Sequence, residues 1–276
     1  MKKIIAFTLA IILCMSLFAA CGASAPAATE APAADAPAAE TPATDLSTIL
    51  DAGKIVVGIT DYAPMDYKDE NGEWTGFDAE FAKLFAEELG LECEFYVIAD
   101  WGKKFMELDT KQIDAVWNGM TITEEAKLNS NVSNPYVVNA QVVVMKNDVL
   151  ANYTDAASLA GLTIAVENGS AGQDAAGSIP DANIIPLQDQ AAALMEVAAG
   201  TADACVIDIT LAYAMTGEGT SYAALGAGIS LTSEEYGVSF RKDSDLTAAF
   251  NAFMEKLVAD GTLQALADKY GLTLAK

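Results

Sequence analysis

Histidine is missing from this sequence altogether, and arginine occurs once, at Arg241. Without histidine, Ser-His-Asp and Cys-His catalysis and the usual histidine-built zinc and iron sites are excluded together. Basic residues of any kind are scarce: 15 Lys and Arg stand against 39 Asp and Glu, a formal net charge of -24. Long-range repulsion then disfavours polyanionic partners, so no nucleic-acid function is expected. Cysteine is limited to Cys14, Cys21, Cys93 and Cys205, and the one long apolar run is at the N-terminus. What the chain does have is apolar residues, 52% of 276, enough for one large or two medium domains with real cores.

The first twenty residues read as an address. Lys2 and Lys3 precede an apolar run from Ile4 to Phe18, and Ala19 and Ala20 lead into Cys21, the layout of a secretory signal that is too short for a comfortable membrane span. Phe18-Ala19-Ala20-Cys21 resembles the lipobox of bacterial lipoproteins, with phenylalanine where leucine is usual, so Cys21 is expected to be lipidated and to anchor the protein to the outer face of the membrane. The alternative is an ordinary secretory signal cut near Ala20. Residues 22–45, "GASAPAATEAPAADAPAAETPATD", space prolines between acids and offer nothing large enough for a core. This stretch reads as an extended tether, about 3.1 Å per residue in the polyproline limit.

Beyond it the sequence alternates strand and helix signals. "KIVVGI" (54–59) is β-branched, "GFDAEFAKLFAEELG" places apolar residues at 77, 81, 84, 85 and 89, and "LECEFYVI" returns to strand. Further strands are expected at "IDAVWN", "QVVVM", "LTIAV", "ADACVID" and "YGVSF", with helices between most of them and two short helices after Asp243. This alternation predicts α/β layers with parallel sheets, whose ligands bind beyond the carboxyl ends of the strands. One such end stands out. In "IDAVWNGMTITEEAK" a strand runs into an Asn118-Gly119 turn and then a helix, a geometry that presents amide groups to a small anion.

"DYAPMDYKDENGEWTGFDAEFAKLFAEELG", "DW", "IDAVWNGMTITEEA", "NPYVVNAQVVV", "LAGLTIAVENGS", "GTADACVID", "YGVSFRKDSDL" and "ADGTLQALADKYG" resemble, in order and spacing, the family 3 extracellular solute-binding proteins of polar amino acid ABC importers. The resemblance spans about residues 46 to 273. It implies a two-lobed periplasmic-binding-protein-like α/β fold, with a ligand trapped between lobes joined by two hinge strands. Lobe 1 would comprise residues 46–142 plus 238–276 and lobe 2 residues 143–237, with crossings near Val142–Val144 and Tyr236–Val238. Cys93 and Cys205 would then lie in different lobes as small buried hydrophobes, not as a disulfide.

The same resemblance assigns a site. Tyr62 and Trp101 match the two aromatic walls of the pocket, where rings can sandwich an aliphatic stem or attract a cation. Asn118, Gly119 and Thr121 match the turn that grips the amino acid head group. Thr121 has a second reading as a helix cap, since "TITE" fits a capping box. Asp208 matches the carboxylate that takes the α-ammonium, and Ser170 and Ala171 match the lobe 2 turn whose amides close over the head group.

One position departs from the pattern. Where the family carries an arginine that forks onto the ligand's α-carboxylate, this chain has Ala126, and Arg241 falls where the family often has a basic surface residue. Three readings follow: helix-end amides and the Asn118 side chain hold the carboxylate alone, or the ligand lacks an α-carboxylate, or an unidentified lysine reaches in. Acids expected near the cleft (Asp61, Asp100, Glu167, Asp208) favour a ligand that is cationic or lacks a free α-carboxylate. The function implied is capture of an amino acid or related small amine and delivery to ABC permease subunits by a monomer, with no cofactor, metal or chemical step. The alternatives are an enzyme on the same fold, cyclohexadienyl dehydratase-like, and a ligand-sensing domain, for which the "KYGLTLAK" end offers no output module.

Overall fold

The computed structural model describes residues 43–276. The signal-like segment, Cys21 and the tether to residue 42 lie outside the described residues. The fold starts sooner than the tether's composition suggests. Thr44 caps helix α1 (Asp45–Ala52): its hydroxyl accepts from the Ser47 amide, and the Ser47 hydroxyl accepts from the Thr44 amide. Asp45, an acid of the tether by composition, is instead paired with Arg241 at 3.0 Å.

Strands β1 (Lys54–Ile59), β2 (Tyr67–Lys68) and β3 (Trp74–Thr75) lead to helix α2 (Phe77–Leu89) and β4 (Glu92–Val97). Helix α3 (Lys104–Asp109), β5 (Ala115–Val116), α4 (Glu124–Asn129), β6 (Asn131–Val132) and β7 (Val137–Asn139) follow. The second lobe contains β8 (Gln141–Lys146), α5 (Asn147–Leu150), β9 (Thr163–Glu167), α6 (Ala171–Ala176), β10 (Asn183–Leu187), α7 (Gln190–Ala199), β11 (Ala204–Asp208), α8 (Ile209–Met215) and β12 (Leu225–Ser230). The chain then returns through β13 (Glu234–Tyr236) and β14 (Ser239–Phe240) to α9 (Leu246–Asp260) and α10 (Thr262–Tyr270).

Two five-stranded sheets result, in the orders β4-β1-β5-β14-β6 and β10-β9-β11-β8-β12. Both are mixed, not parallel as the alternation suggests. In each, three parallel strands come from β-α-β units, while β14 and β8 run antiparallel to their neighbours. Strands β14 and β8 are where the chain enters a sheet from the other lobe, so no crossover helix constrains their direction. Between the sheets β7 and β13 pair antiparallel, with Asn139 opposite Glu234 and Val137 opposite Tyr236. All of β8, from Gln141 to Lys146, pairs inside the second sheet.

The first lobe is built on aromatic packing. Phe77, Phe81 and Phe85, spaced four apart on α2, turn one face inward. Trp117 meets Phe81 and Phe250 edge-on at 5.0 and 4.8 Å between centroids, and each fully buried ring is worth about 1.5–3 kcal/mol of burial. Gly90, in left-handed conformation, ends α2. Arg241 is buried rather than superficial. It pairs with Asp45 and Asp114 and donates to the carbonyls of Leu108 and Ile113. Cys93 and Cys205 are free thiols in separate sheets, and burial pushes Cys93 up to about 12. Among the described residues no helix is long and apolar enough to cross a membrane.

Candidate functional site

Strand β5 is only two residues long because the chain breaks away from the sheet at Trp117 to form the Asn118–Thr121 turn. Gly119 makes the turn possible: its φ is +57°, and a Cβ there would sit 2.6 Å from a ring atom of Tyr62. Its amide donates to Asp78 at 2.5 Å, and burial raises that carboxyl to about 7. Asn118 lines the cleft, but its side-chain amide is committed elsewhere. It accepts from the Thr60 amide at 2.7 Å and donates to the Thr60 hydroxyl at 2.6 Å, tying the ends of β5 and β1 together. These bonds fix the orientation of the Asn118 amide and leave it one N–H.

Helix α4 does not follow the turn directly. Its cap is Thr123, whose hydroxyl accepts from the Ala126 amide at 3.0 Å, and its first residue is Glu124. Thr121 instead forms a bridge with Tyr236 and donates its hydroxyl to Glu234 at 3.1 Å. The cap thus lies two residues beyond the expected one and is a single Thr123 bond, since Ala126 at the third helical position has no side chain to complete a capping box, and the Thr121 amide is not at a helix end. Ala126, 1% exposed, packs among Trp101, Phe105, Leu108 and Met120 and does not line the cleft.

The two expected aromatic walls part company. Trp101, in the turn capped by Asp100, lines the cleft. Tyr62 does not. Its ring packs beneath Gly119, and its hydroxyl lies 2.6 Å from both the Thr210 and Tyr236 hydroxyls, so it acts as a buried brace between lobes. The direction of the Tyr62 ring depends on which neighbour lacks a Cβ, and Gly119 supplies that space.

Asp208 ends β11 at the floor of the cleft, 4% exposed. Three side-chain amides donate to it: Asn139 at 2.5 Å, Gln141 at 2.7 Å and Gln190. Burial raises its pKa, and these donors hold the rise to about 6. Asn139 and Gln141 also donate to Glu234, at 3.3 and 3.0 Å, so the two carboxylates share one amide network where the hinge strands meet. Glu167, at the end of β9, has one long contact from Gln190 at 3.5 Å, and burial together with the charge of Asp208 pushes it up to about 8.

The lobe 2 turn runs through Asn168 and Gly169 into α6. Ser170 caps the helix, accepting from the Gln173 amide at 3.1 Å while donating to the Glu167 carbonyl at 2.8 Å. Its hydroxyl is occupied, whereas the amide of Ala171, in the first turn, has no intrahelical partner. Gly169 has φ +71°, and a Cβ there would fall 2.5 Å from the Gly102 Cα of the opposite lobe. Beside that backbone contact Asn168 donates to Asp100 at 3.0 Å, and Lys104 donates to the Gly169 carbonyl at 3.0 Å.

These elements enclose a narrow cavity of about 30 Å³. Trp101, Asn118, Gly119, Thr121, Ser170, Ala171 and Asp208 line it, as do Lys104, Gln141 and Gln190, which the sequence reading does not single out. Of the acids expected nearby, Glu167 and Asp208 line the cavity and Asp61 and Asp100 do not. Lys104 had a sequence signal: Trp101, Lys104 and Leu108 are spaced as one buried helix stripe, and a lysine on such a stripe requires an explanation. Gln141 and Gln190 had none, because an amide at a strand or helix start is unremarkable until a carboxylate is found opposite. Among the described residues no cluster of His, Cys, Asp and Glu is placed to hold a metal.

Known proteins share this architecture. The pattern of "Bacterial extracellular solute-binding proteins, family 3" matches residues 55–273. The chain is 28% identical over 228 residues to the L-cystine-binding protein TcyJ of Escherichia coli K12, covering 82% of this chain and 85% of that one. It is 31% identical over 221 residues to an L-arginine-binding protein of Pseudomonas aeruginosa, covering 76% and 84%. Among solved structures it superposes on the ancestral amino acid-binding protein AncCDT-1, a precursor of cyclohexadienyl dehydratase, with a TM-score of 0.75 and 33% identity, over 82% of this chain and 98% of that one. With four-fifths of the chain matched by the family's pattern, this protein belongs to family 3 of the bacterial extracellular solute-binding proteins.

Proposed function

We propose that this protein is the extracytoplasmic receptor of an ABC importer, and that it traps a polar amino acid between its lobes by seating the α-ammonium on Asp208. The observation that carries the reading is Asp208 itself: a carboxylate 4% exposed, at a strand end, facing the cleft and held in place by three amides. Burying such a charge is costly without a cation, and an ammonium supplies one. Trp101 forms one wall, and the amides of Thr121 and Ala171 face the head group from opposite lobes. The lobes rotate about the β7–β13 ladder, since two crossing strands permit one hinge axis. No bond is made or broken; binding energy goes into closure.

An amino acid panel in a thermal-shift assay tests this, because ligand binding raises stability by RT ln(1 + [L]/Kd). Mass spectrometry of the incubated mixture adds the enzyme alternative. Glu167, raised to about 8, and Asp208, at about 6, are groups in this cleft that a proton-transfer reaction could use. Recovery of unchanged amino acid supports a receptor, and its consumption refutes the reading. Anchoring through Cys21 and a monomeric state complete the proposal. Cys21→Ala should leave the protein in the soluble fraction or unprocessed, and a variant still carrying labelled lipid would refute the anchor.

A further inference from the structure

The cleft contains a buried cation that no ion pair holds. Lys104, the first residue of α3, is 6% exposed and lines the cavity. Its ammonium donates to the Gly169 carbonyl at 3.0 Å and lies 3.4 Å from the Trp101 carbonyl. It also sits 5.1 and 4.9 Å from the ring centroids of Trp101 and Phe105. Among the described residues no carboxylate comes within ion-pair distance of it, and the lysines that do form ion pairs are exposed; Glu125, Glu167, Asp174 and Asp100 act on it only from farther away. Burying an ammonium costs several kcal/mol, roughly, unless an anion compensates. Two carbonyls and two aromatic faces offset part of that, and burial accordingly lowers the Lys104 pKa.

Position decides what the missing anion is. Lys104 comes from the first lobe and touches the turn of the second, whose Ala171 amide opens onto the same cavity. Four carboxylates line that cavity, Glu125, Glu167, Asp174 and Asp208, and among the described residues Lys104 is the cation that lines it with them; Asp208 and Lys104 are the pair considered as its poles. Thr121 and Gln141 line the space with them. A molecule carrying both an ammonium and a carboxylate on one carbon meets both poles, and an amine meets one. The position where an arginine is expected holds Ala126, packed away from the cavity in the apolar cluster that also contains Trp101 and Phe105, the two rings flanking the Lys104 ammonium.

We infer that Lys104 is a specificity residue that binds the ligand's α-carboxylate, so that this receptor selects zwitterionic α-amino acids over amines and α-amides. The inference rests on the proposed receptor function and replaces the expectation of a ligand without a free carboxylate. It requires no loss of the Gly169 contact, since an ammonium has three donors.

Calorimetry tests it with the proteinogenic L-amino acids and L-cystine, followed by the α-amide of each that binds. The unmodified protein decides first: the acid should bind at least about 30-fold tighter than its amide, the scale of a charge contact in a closed site. Lys104→Met should weaken the acid by a similar factor and leave the amide within about threefold, while Lys104→Arg should keep the preference. Equal affinity for acid and amide in the unmodified protein overturns the inference. So does a Lys104→Met variant, folded by its melting curve, that loses acid and amide alike, since that marks a contact holding the lobes together and nothing more. In both cases the receptor function stands. Failure of every amino acid to bind overturns the function and the inference together.

Discussion

Asp208 and Lys104 are two buried charged residues of opposite sign that line the cleft, and they are solvated by different means. Asp208 is surrounded by amides from three elements, β7, β8 and α7, and its pKa rises only to about 6. Lys104 has backbone carbonyls and ring faces. Glu167, in the same cleft with one long contact, rises to about 8. The comparison separates a charge built to stay ionised from one that burial pushes toward neutrality. Asp208 is prepared for a cation near neutral pH, and Glu167 is largely protonated there.

Removing the better-solvated charge should have the largest effect. Asp208→Asn takes away the partner of a buried ammonium and should cost about 2–5 kcal/mol of amino acid affinity by calorimetry. In the unmodified protein, affinity should also fall as pH drops below about 6, by up to about tenfold per unit, because protons compete with the ammonium for Asp208. The variant should lose that dependence. Unchanged affinity would remove Asp208 from the site.

Next in size is a change that keeps both charges but holds them apart. Gly169→Ala would place a Cβ 2.5 Å from the Gly102 Cα of the facing lobe, at a φ of +71°. Backbone has little room to yield, and strain of about 1–3 kcal/mol should appear as a loss of affinity of roughly tenfold or more. Small-angle scattering with saturating amino acid should show a larger radius of gyration than the unmodified protein. An identical radius and affinity would show that the Gly102–Gly169 contact is incidental to closure.

The two solvation strategies also differ in how legible they were. The β-α-β rhythm, the α2 face and the cleft-facing loops can be read from period and turn residues, because local chemistry dictates them. The direction of a side chain at a loop is another matter. Tyr62 turns under Gly119, Asn118 is claimed by Thr60, and Thr123 takes the cap that Thr121 also fits. The first two were settled by a partner tens of residues away, and Thr121 is drawn from the cap by Glu234 and Tyr236, more than a hundred residues on. The amides around Asp208 were hidden for the same reason, since Asn139, Gln141 and Gln190 acquire meaning only once the hinge brings them together. Arg241 looked superficial until Asp45 and Asp114 were found on either side of it.

Glu167 sharpens the comparison through pH. An acid near about 4.3 when unfolded and about 8 when folded keeps its proton in the native state across that window. The native protein then binds more protons than the unfolded chain, so the stability of the ligand-free protein should fall as pH rises through the window and level off above about 8. Asp78, at about 7, acts in the same direction. Glu167→Gln should flatten the decline and raise the melting temperature at pH 8 by a few degrees, consistent with roughly 1–2 kcal/mol. A steeper slope in the variant would mean that Glu167 is ionised and stabilising in the fold.

The smallest net change is expected from moving the positive pole without removing it. Ala126→Arg alone forces a long side chain into the cluster of Trp101, Phe105, Leu108 and Met120 beside an existing ammonium. Overpacking should cost about 1–3 kcal/mol of stability, and like charges add to it, so the gain in affinity that the family pattern suggests for this position should not appear. Combined with Lys104→Met, the same arginine meets no competing charge and gains a flexible apolar neighbour in place of the ammonium. The carboxylate would again find one cation in the cleft, now with a planar fork. Amino acid affinity in the double variant should lie within about tenfold of the unmodified protein, whereas Lys104→Met alone loses at least about 30-fold. The difference between those two numbers measures how much of the lysine's role is charge and how much is place. If the double variant folds and still binds as weakly as Lys104→Met, the cleft needs its cation on α3, and the carboxylate is held by a position that α4 cannot supply.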